Sequence, residues 1–132
     1  MARASRSAVP KERGIYPLLA YQADPIRESV KRLGRKWTLL LLRDMAFLKL
    51  NRFGQLLRNN AGLTPRVLSR RLGEMEEEGL VERTVAEDRV TYRLTSRGED
   101  AVFILLAFLR YGIKHRTGPR PEAREPRRSM SR

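Results

Sequence analysis

The 132 residues contain no cysteine. That absence excludes disulfides, Cys-ligated zinc, iron–sulfur clusters and any thiol nucleophile or thiol redox switch within the chain. There is one histidine, His115, at the start of a basic tail. A metal site needs partners at defined spacings, and none stands near it. No HExxH, P-loop, GxGxxG or GxSxG pattern occurs. The adjacent acids Glu87-Asp88 and Glu99-Asp100 sit where turns and caps ordinarily carry them. No enzyme chemistry, cofactor or metal is therefore expected. The longest apolar run, Ala101–Leu109, has nine residues, too few to span a bilayer. The basic N-terminus has no apolar segment after it of the kind a signal peptide needs. The expectation is a cytoplasmic protein with no membrane partner.

Acids are in the minority, and the net charge is +13. Its distribution matters more than its size. Residues 1–13 carry four bases and one acid, and residues 110–132 carry eight bases and two acids. The segment 14–109 carries 16 bases and 12 acids. The two tails thus hold most of the excess, which suits nucleic acid, an anionic surface or simple solubility. Arginine outnumbers lysine 23 to 5, and arginine makes bidentate contacts to phosphate and guanine.

Length and composition suit one small domain with tails. Residues 1–13 and 114–132 read as disordered basic tails, and 14–113 as the domain. Ile15–Tyr21, broken by Pro17, reads as a docked arm within 14–23. Asp24-Pro25 is a cap followed by a helix-starting proline, leading Ile26, Val30 and Leu33 to a stop at Gly34. Residues 37–48 read as a helix apolar on most faces and central to the core. Asn51 is a candidate cap for a short helix whose apolar side is Phe53, Leu56 and Leu57. Asn60-Ala61-Gly62 carries turn chemistry.

The segment Leu63–Leu80 is the most informative. Thr64 is a cap, Pro65 suits the first helical position and Gly79 suits the position after the last. Leu68, Leu72 and Met75 form one apolar stripe. Arg66, Ser69, Arg70 and Gly73 fall on the opposite face. The first half holds three arginines and no acid; the second holds Glu74, Glu76, Glu77 and Glu78 and no base. A helix built this way can present its N-terminal end alone to a phosphate-lined groove.

Beyond Gly79 the period falls to two. Val81, Arg83 and Val85, then Val90, Tyr92 and Leu94, give a two-stranded hairpin about a polar Ala86–Arg89 turn. So small a hairpin must pack on the helices. Thr95 or Ser96 caps the last helix, with Ser96 and Glu99 spaced as a capping box. The helix spans 96–113 and is apolar all round from Ala101 to Ile113, which calls for two covering surfaces, the core and a second subunit. The expected fold is mainly α with a small β-hairpin: a winged helix-turn-helix with flanking dimerisation helices.

Three stretches carry a family likeness: DPIRESVKRLGRKWTLLLLRDM, RFGQLLRNNAGLTPRVLSRRLGEMEEEGLVERTV and YRLTSRGED. Together they cover roughly residues 24–100. In them the chain resembles the HxlR-type winged helix-turn-helix transcriptional regulators of bacteria and archaea. The resemblance implies a homodimer bound to double-stranded DNA at a palindromic operator. Many family members carry a cysteine directly before the proline that opens the first core helix, and some use it to sense oxidants or electrophiles. Here that position is Asp24. The hairpin turn is also short against the family's usual wing, which argues against deep minor-groove contact.

The expected DNA-binding residues are Thr64, Pro65, Arg66, Ser69 and Arg70 at the helix start. Arg52 on the short helix, Arg89 at the hairpin tip and Lys36 beside Trp37 are added as phosphate contacts. Arg83 and Arg93 can instead pair with Glu82, Glu87 or Asp88. The expected dimerisation residues are Val102, Phe103, Leu105, Leu106 and Leu109 on the last helix, with Ile15, Leu18 and Leu19 on the arm. Two rival readings use the same residues. The tails alone could serve a non-specific nucleoid or architectural DNA binder, and the modest core charge allows a winged-helix protein-interaction module. No ligand-binding constellation marks an effector.

Overall fold

The computed structural model describes residues 24–116. The arm residues Ile15, Leu18 and Leu19, the tail at 1–13 and residues 117–132 lie outside them. The chain groups into two compact units that divide between Leu41 and Leu42.

The first unit holds α1 (Pro25–Leu33). The Asp24 carboxylate caps it, accepting the Arg27 N–H at 2.8 Å, and Pro25 occupies the first turn, where no donor is needed. Glu28 in the first turn and Lys31 and Arg32 in the last complement the helix dipole. Gly34 ends the helix, its N–H bonded to the Val30 carbonyl at 2.7 Å. A Cβ at Gly34 would run into that same carbonyl oxygen. No residue of α1 is buried, and Ile26 and Val30 are exposed. In the turn that follows, Trp37 takes a φ of +81°, uncommon for a bulky residue. Its carbonyl accepts the Leu41 N–H at 2.9 Å. Helix α2 (Thr38–Phe47) therefore starts one residue later than the expected 37–48 segment and ends one earlier.

The second unit contains the rest of α2, then α3 (Phe53–Arg58), α4 (Pro65–Glu77), a hairpin of β1 (Val81–Ala86) and β2 (Arg89–Leu94), and α5 (Ser96–His115). Its core is Leu42, Met45, Leu56, Leu63, Leu68, Leu72, Met75, Leu80, Val81, Tyr92 and Ala101. The apolar stripe expected on α4 is thus the buried one. The expectation that α2 is apolar and central holds only in part. Leu40, Phe47 and Leu48 are exposed, and Asp44 is completely buried.

One cap differs from expectation, and of the two residues expected to cap the last helix the structure selects one. The short helix α3 is capped at Arg52, not Asn51. The Gln55 side chain reaches back and its Oε1 accepts the N–H groups of both Asn51 and Arg52, at 3.0 and 3.1 Å. The Asn51 carbonyl is taken by the Tyr92 N–H at 2.9 Å, which ties the hairpin to the start of α3. The last helix is capped by Thr95, whose hydroxyl accepts the Gly98 N–H at 3.0 Å. The Ser96–Glu99 spacing therefore does not form the cap. This helix also runs to His115, so residues 114 and 115 belong to it and not to a tail.

The strands pair antiparallel from Val81 opposite Leu94 to Ala86 opposite Arg89. The turn is only Glu87-Asp88, both at positive φ (53° and 64°), as a two-residue hairpin loop of the primed type requires. Packing of the hairpin is confined to its base. Val81 and Tyr92 are buried, while every residue from Glu82 to Arg89 is exposed. The hairpin packs on the helices, as expected, through Val81 and Tyr92. Its distal part, exposed from Glu82 to Arg89, projects as a wing.

Candidate nucleic-acid interface

Helix α4 is held at both ends by local chemistry. Thr64 has extended backbone angles (φ −104°, ψ 158°), and its Oγ1 accepts the Val67 N–H at 3.2 Å. Pro65 follows at the first position. At the far end Gly79 takes φ +78°. The Leu80 N–H bonds to the Met75 carbonyl at 2.9 Å and the Gly79 N–H to that of Glu76 at 3.0 Å, a Schellman closure.

Burying Leu68, Leu72 and Met75 on one side turns the other side outward. Thr64, Pro65, Arg66, Ser69, Arg70 and Gly73 are all exposed. Arg66 and Arg70 are one helical turn apart and so neighbours on that face. No acid lies in the first turn, which leaves the positive end of the helix dipole uncompensated and open to an anion. The third arginine does not join them. Arg71 is turned toward the body, with its side chain 17% exposed, and pairs with Glu74 at 3.2 Å. An ideal Cβ at Gly73 meets nothing within 4 Å.

The other expected contacts stand on other elements. Arg52 is the half-buried cap residue of α3, and Arg89 is exposed as the first residue of β2. Lys36 lies in the first unit, exposed, with its Nζ 5.5 Å from the centre of the Trp37 ring. On the wing, Arg93 pairs with Glu82 across the strands at 2.8 Å, one of the pairings considered from sequence. Strand alternation puts Glu82, Thr84, Ala86, Arg89, Thr91 and Arg93 on one wing face. The other face carries Val81, Arg83, Val85, Val90, Tyr92 and Leu94.

On α5 only Gly98 and Ala101 are buried. Val102 and Leu105 are partly covered, while Phe103, Ile104, Leu106, Phe108, Leu109, Tyr111 and Ile113 are exposed. The first of the two expected covering surfaces therefore reaches only the start of this helix. Gly98 is needed there, since a Cβ would collide with the Leu80 carbonyl oxygen and crowd Leu94. Thr95 bonds the same corner: its Oγ1 donates to the Gly79 carbonyl at 2.5 Å, and its N–H donates to that of Leu80 at 3.1 Å. The end of α4 and the start of α5 are thus joined directly.

Sequence reasoning missed a buried polar cluster before α4. The Asp44 carboxylate accepts from Asn60 Nδ2 (2.8 Å), Asn59 Nδ2 (3.0 Å) and Arg43 Nε (2.8 Å). The only signal for it was an acid inside the aliphatic run TLLLLRDMAF.

Among the described residues no cluster of acids or histidines could hold a metal, and no helix is long and apolar enough to cross a membrane. The model of the HxlR-like helix-turn-helix family matches residues 32–118. The chain belongs to that family. An HTH-type transcriptional regulator of Mycobacterium bovis, Mb3122, is 35% identical over 105 residues, which is 77% of this chain and 64% of the relative. The chain thus spans somewhat under two thirds of that relative's length. Among solved structures, the redox regulator HypR in its reduced form aligns with a TM-score of 0.64 at 29% identity, covering 70% of this chain and 93% of HypR. A protein described as a possible HxlR family transcriptional factor from Thermoplasma volcanium aligns with a TM-score of 0.61 at 27% identity, covering 72% and 87%. The fold of this HxlR-like chain is accordingly a winged helix-turn-helix: α3 and α4 form the helix-turn-helix, and β1–β2 the wing. These 132 residues contain no cysteine, and so supply no thiol for redox sensing.

Proposed function

We propose that the chain is a transcriptional regulator that binds double-stranded DNA sequence-specifically as a homodimer on a two-fold symmetric operator. One observation carries the reading: an acid-free, capped helix start that exposes Arg66, Ser69 and Arg70 on a single face. Laid in a major groove, that face would bring arginine to guanine O6 and N7, each such pair discriminating by ~1–3 kcal/mol. Thr64 and Pro65 would form the edge of this surface, and Arg52, Arg89 and Lys36 would meet phosphate.

The exposed apolar residues of α5, with Val102 and Leu105 beside them, support dimerisation through this helix. In this reading the domain runs from residue 14 to the end of α5 at His115, with the 14–23 arm completing the interface. The basic ends would add salt-dependent affinity without sequence preference. Such a regulator works in the cytoplasm, with no cofactor and no catalytic role.

The test measures binding of Arg70→Ala to a selected operator and to random duplex. Operator binding should fall much further than random-duplex binding. Equal losses would assign Arg70 to phosphate. A wild-type specificity ratio near one would favour an architectural binder, which the charge of the tails allows. Failure of any duplex to bind at low salt would favour a protein-interaction module.

A further inference from the structure

We infer that Asp44 is the positioning residue of the reading helix: its buried carboxylate, through Asn60 and Asn59, fixes where the turn before α4 lies and so where Arg66 and Arg70 are presented. The inference rests on the DNA-reading function proposed above.

Asp44 has no exposed surface. A leucine there would extend the aliphatic run of α2, but it would leave the donors of Asn59, Asn60 and Arg43 without their acceptor, which is destabilising. What the carboxylate supplies, and a leucine does not, is direction. Its Oδ1 accepts from Arg43 and Asn59 and its Oδ2 from Asn60. Arg43 comes from its own helix, Asn59 from the cap of α3 and Asn60 from the turn. No buried polar side-chain atom among the described residues lacks a partner.

Asn60 carries the effect onward. Its Nδ2 also donates to the Leu56 carbonyl at 2.9 Å, and its Oδ1 accepts from Arg43 at 3.3 Å. Its backbone N–H bonds to the Leu57 carbonyl at 3.3 Å, and its own carbonyl accepts the Leu63 N–H at 3.0 Å. The next residue is Thr64, the cap of α4. Hydrogen bonds through Asn60 therefore link the Asp44 carboxylate to Leu63, the residue that precedes the cap of the reading helix. The backbone carbonyl of Asp44 is engaged as well, by the N–H groups of Leu48 and Leu50 at 3.2 and 3.1 Å, which holds the end of α2.

Asp44→Asn keeps the volume but replaces one acceptor by an amide donor, which faces either Asn60 or the pair Asn59 and Arg43. The experiment measures affinity of full-length wild type and variant for a duplex recovered by in-vitro selection and for a scrambled duplex of equal length, across a salt series. A loss of overall folding lowers the competent fraction for both duplexes equally and leaves their ratio unchanged. Misplacement of the helix lowers the ratio. Losing correct readout of one base pair per half-site should reduce it by about tenfold or more. The scrambled-duplex affinity and its salt slope should stay at the wild-type values, because Asp44 touches no solvent and contributes no phosphate contact.

A proportionate fall on both duplexes, or no change on either, overturns the assignment. If Asp44→Asn does not fold, Asn60→Ala tests the same link, since it removes the bridge and leaves Asp44 paired with Arg43. A wild-type ratio near one is seen before any variant is made and removes the premise instead.

Discussion

Replacing Gly73 by alanine should stabilise the protein and weaken its hold on DNA. Glycine inside a helix costs ~1 kcal/mol relative to alanine, because the unfolded chain loses more freedom and no side chain packs. Structures usually offset that cost by a close approach or a backbone angle that only glycine adopts. Neither applies at Gly73, where a Cβ meets nothing within 4 Å and φ is not positive. The gain on substitution should therefore approach the full ~1 kcal/mol, or an increase of about 4–8 °C in melting temperature for a domain of this size. Thermal unfolding followed by circular dichroism, at one fixed protomer concentration, measures it. No gain, or a loss, would refute the reasoning, since it would mean that the open space at Gly73 is filled in the protein in solution. The DNA arm reads the same methyl group differently. Gly73 shares the outer face with Arg66 and Arg70, so the methyl would stand between helix and groove, and affinity for the selected operator should drop. A variant both more stable and tighter binding would contradict the orientation proposed for α4.

Gly98→Ala should do the reverse, because its Cβ would collide with the Leu80 carbonyl oxygen at the joint between α4 and α5; an overpacking cost of ~1–3 kcal/mol or more should appear in urea denaturation. An unchanged midpoint would show that the joint is looser than described. Phe103→Asp combined with Leu109→Asp places two charges on the exposed apolar part of α5 and should shift the protein to monomer in sedimentation equilibrium while helical content is retained. A variant that remains dimeric would move the subunit interface to another surface.

Local chemistry made most of the helix-turn-helix legible from sequence. Asp24-Pro25 and Thr64-Pro65 mark two helix starts, Gly34 and Gly79 two stops, and the change of period at Val81 marks the wing. Each of these signals acts within a few residues, so no knowledge of the tertiary structure is needed to read it. The misses share the opposite property. Asn51 and Arg52, or Thr95 and Ser96, are adjacent choices that the neighbouring elements decide: the Asn51 carbonyl is claimed by Tyr92 and the Thr95 hydroxyl by the end of α4. Asp44 was hidden because its partners Asn59 and Asn60 lie 15 and 16 residues away, and an acid in an apolar helix reads as a surface position. The outward face of α4 followed from its apolar stripe, but the inward turn of Arg71 did not, since helical spacing leaves it on the flank. For α5, uniform apolarity called for cover without saying how far the core would reach.

The central claim is that two copies of α4 read DNA about one helical turn apart. In-vitro selection of duplexes bound by the full-length protein from a random pool tests it most directly. The account predicts an inverted repeat whose half-sites are centred about 10–10.5 base pairs apart, with guanine at positions that lose their enrichment for Arg66→Ala or Arg70→Ala. Recovery of duplexes with no common sequence, or of single half-sites without symmetry, would contradict it.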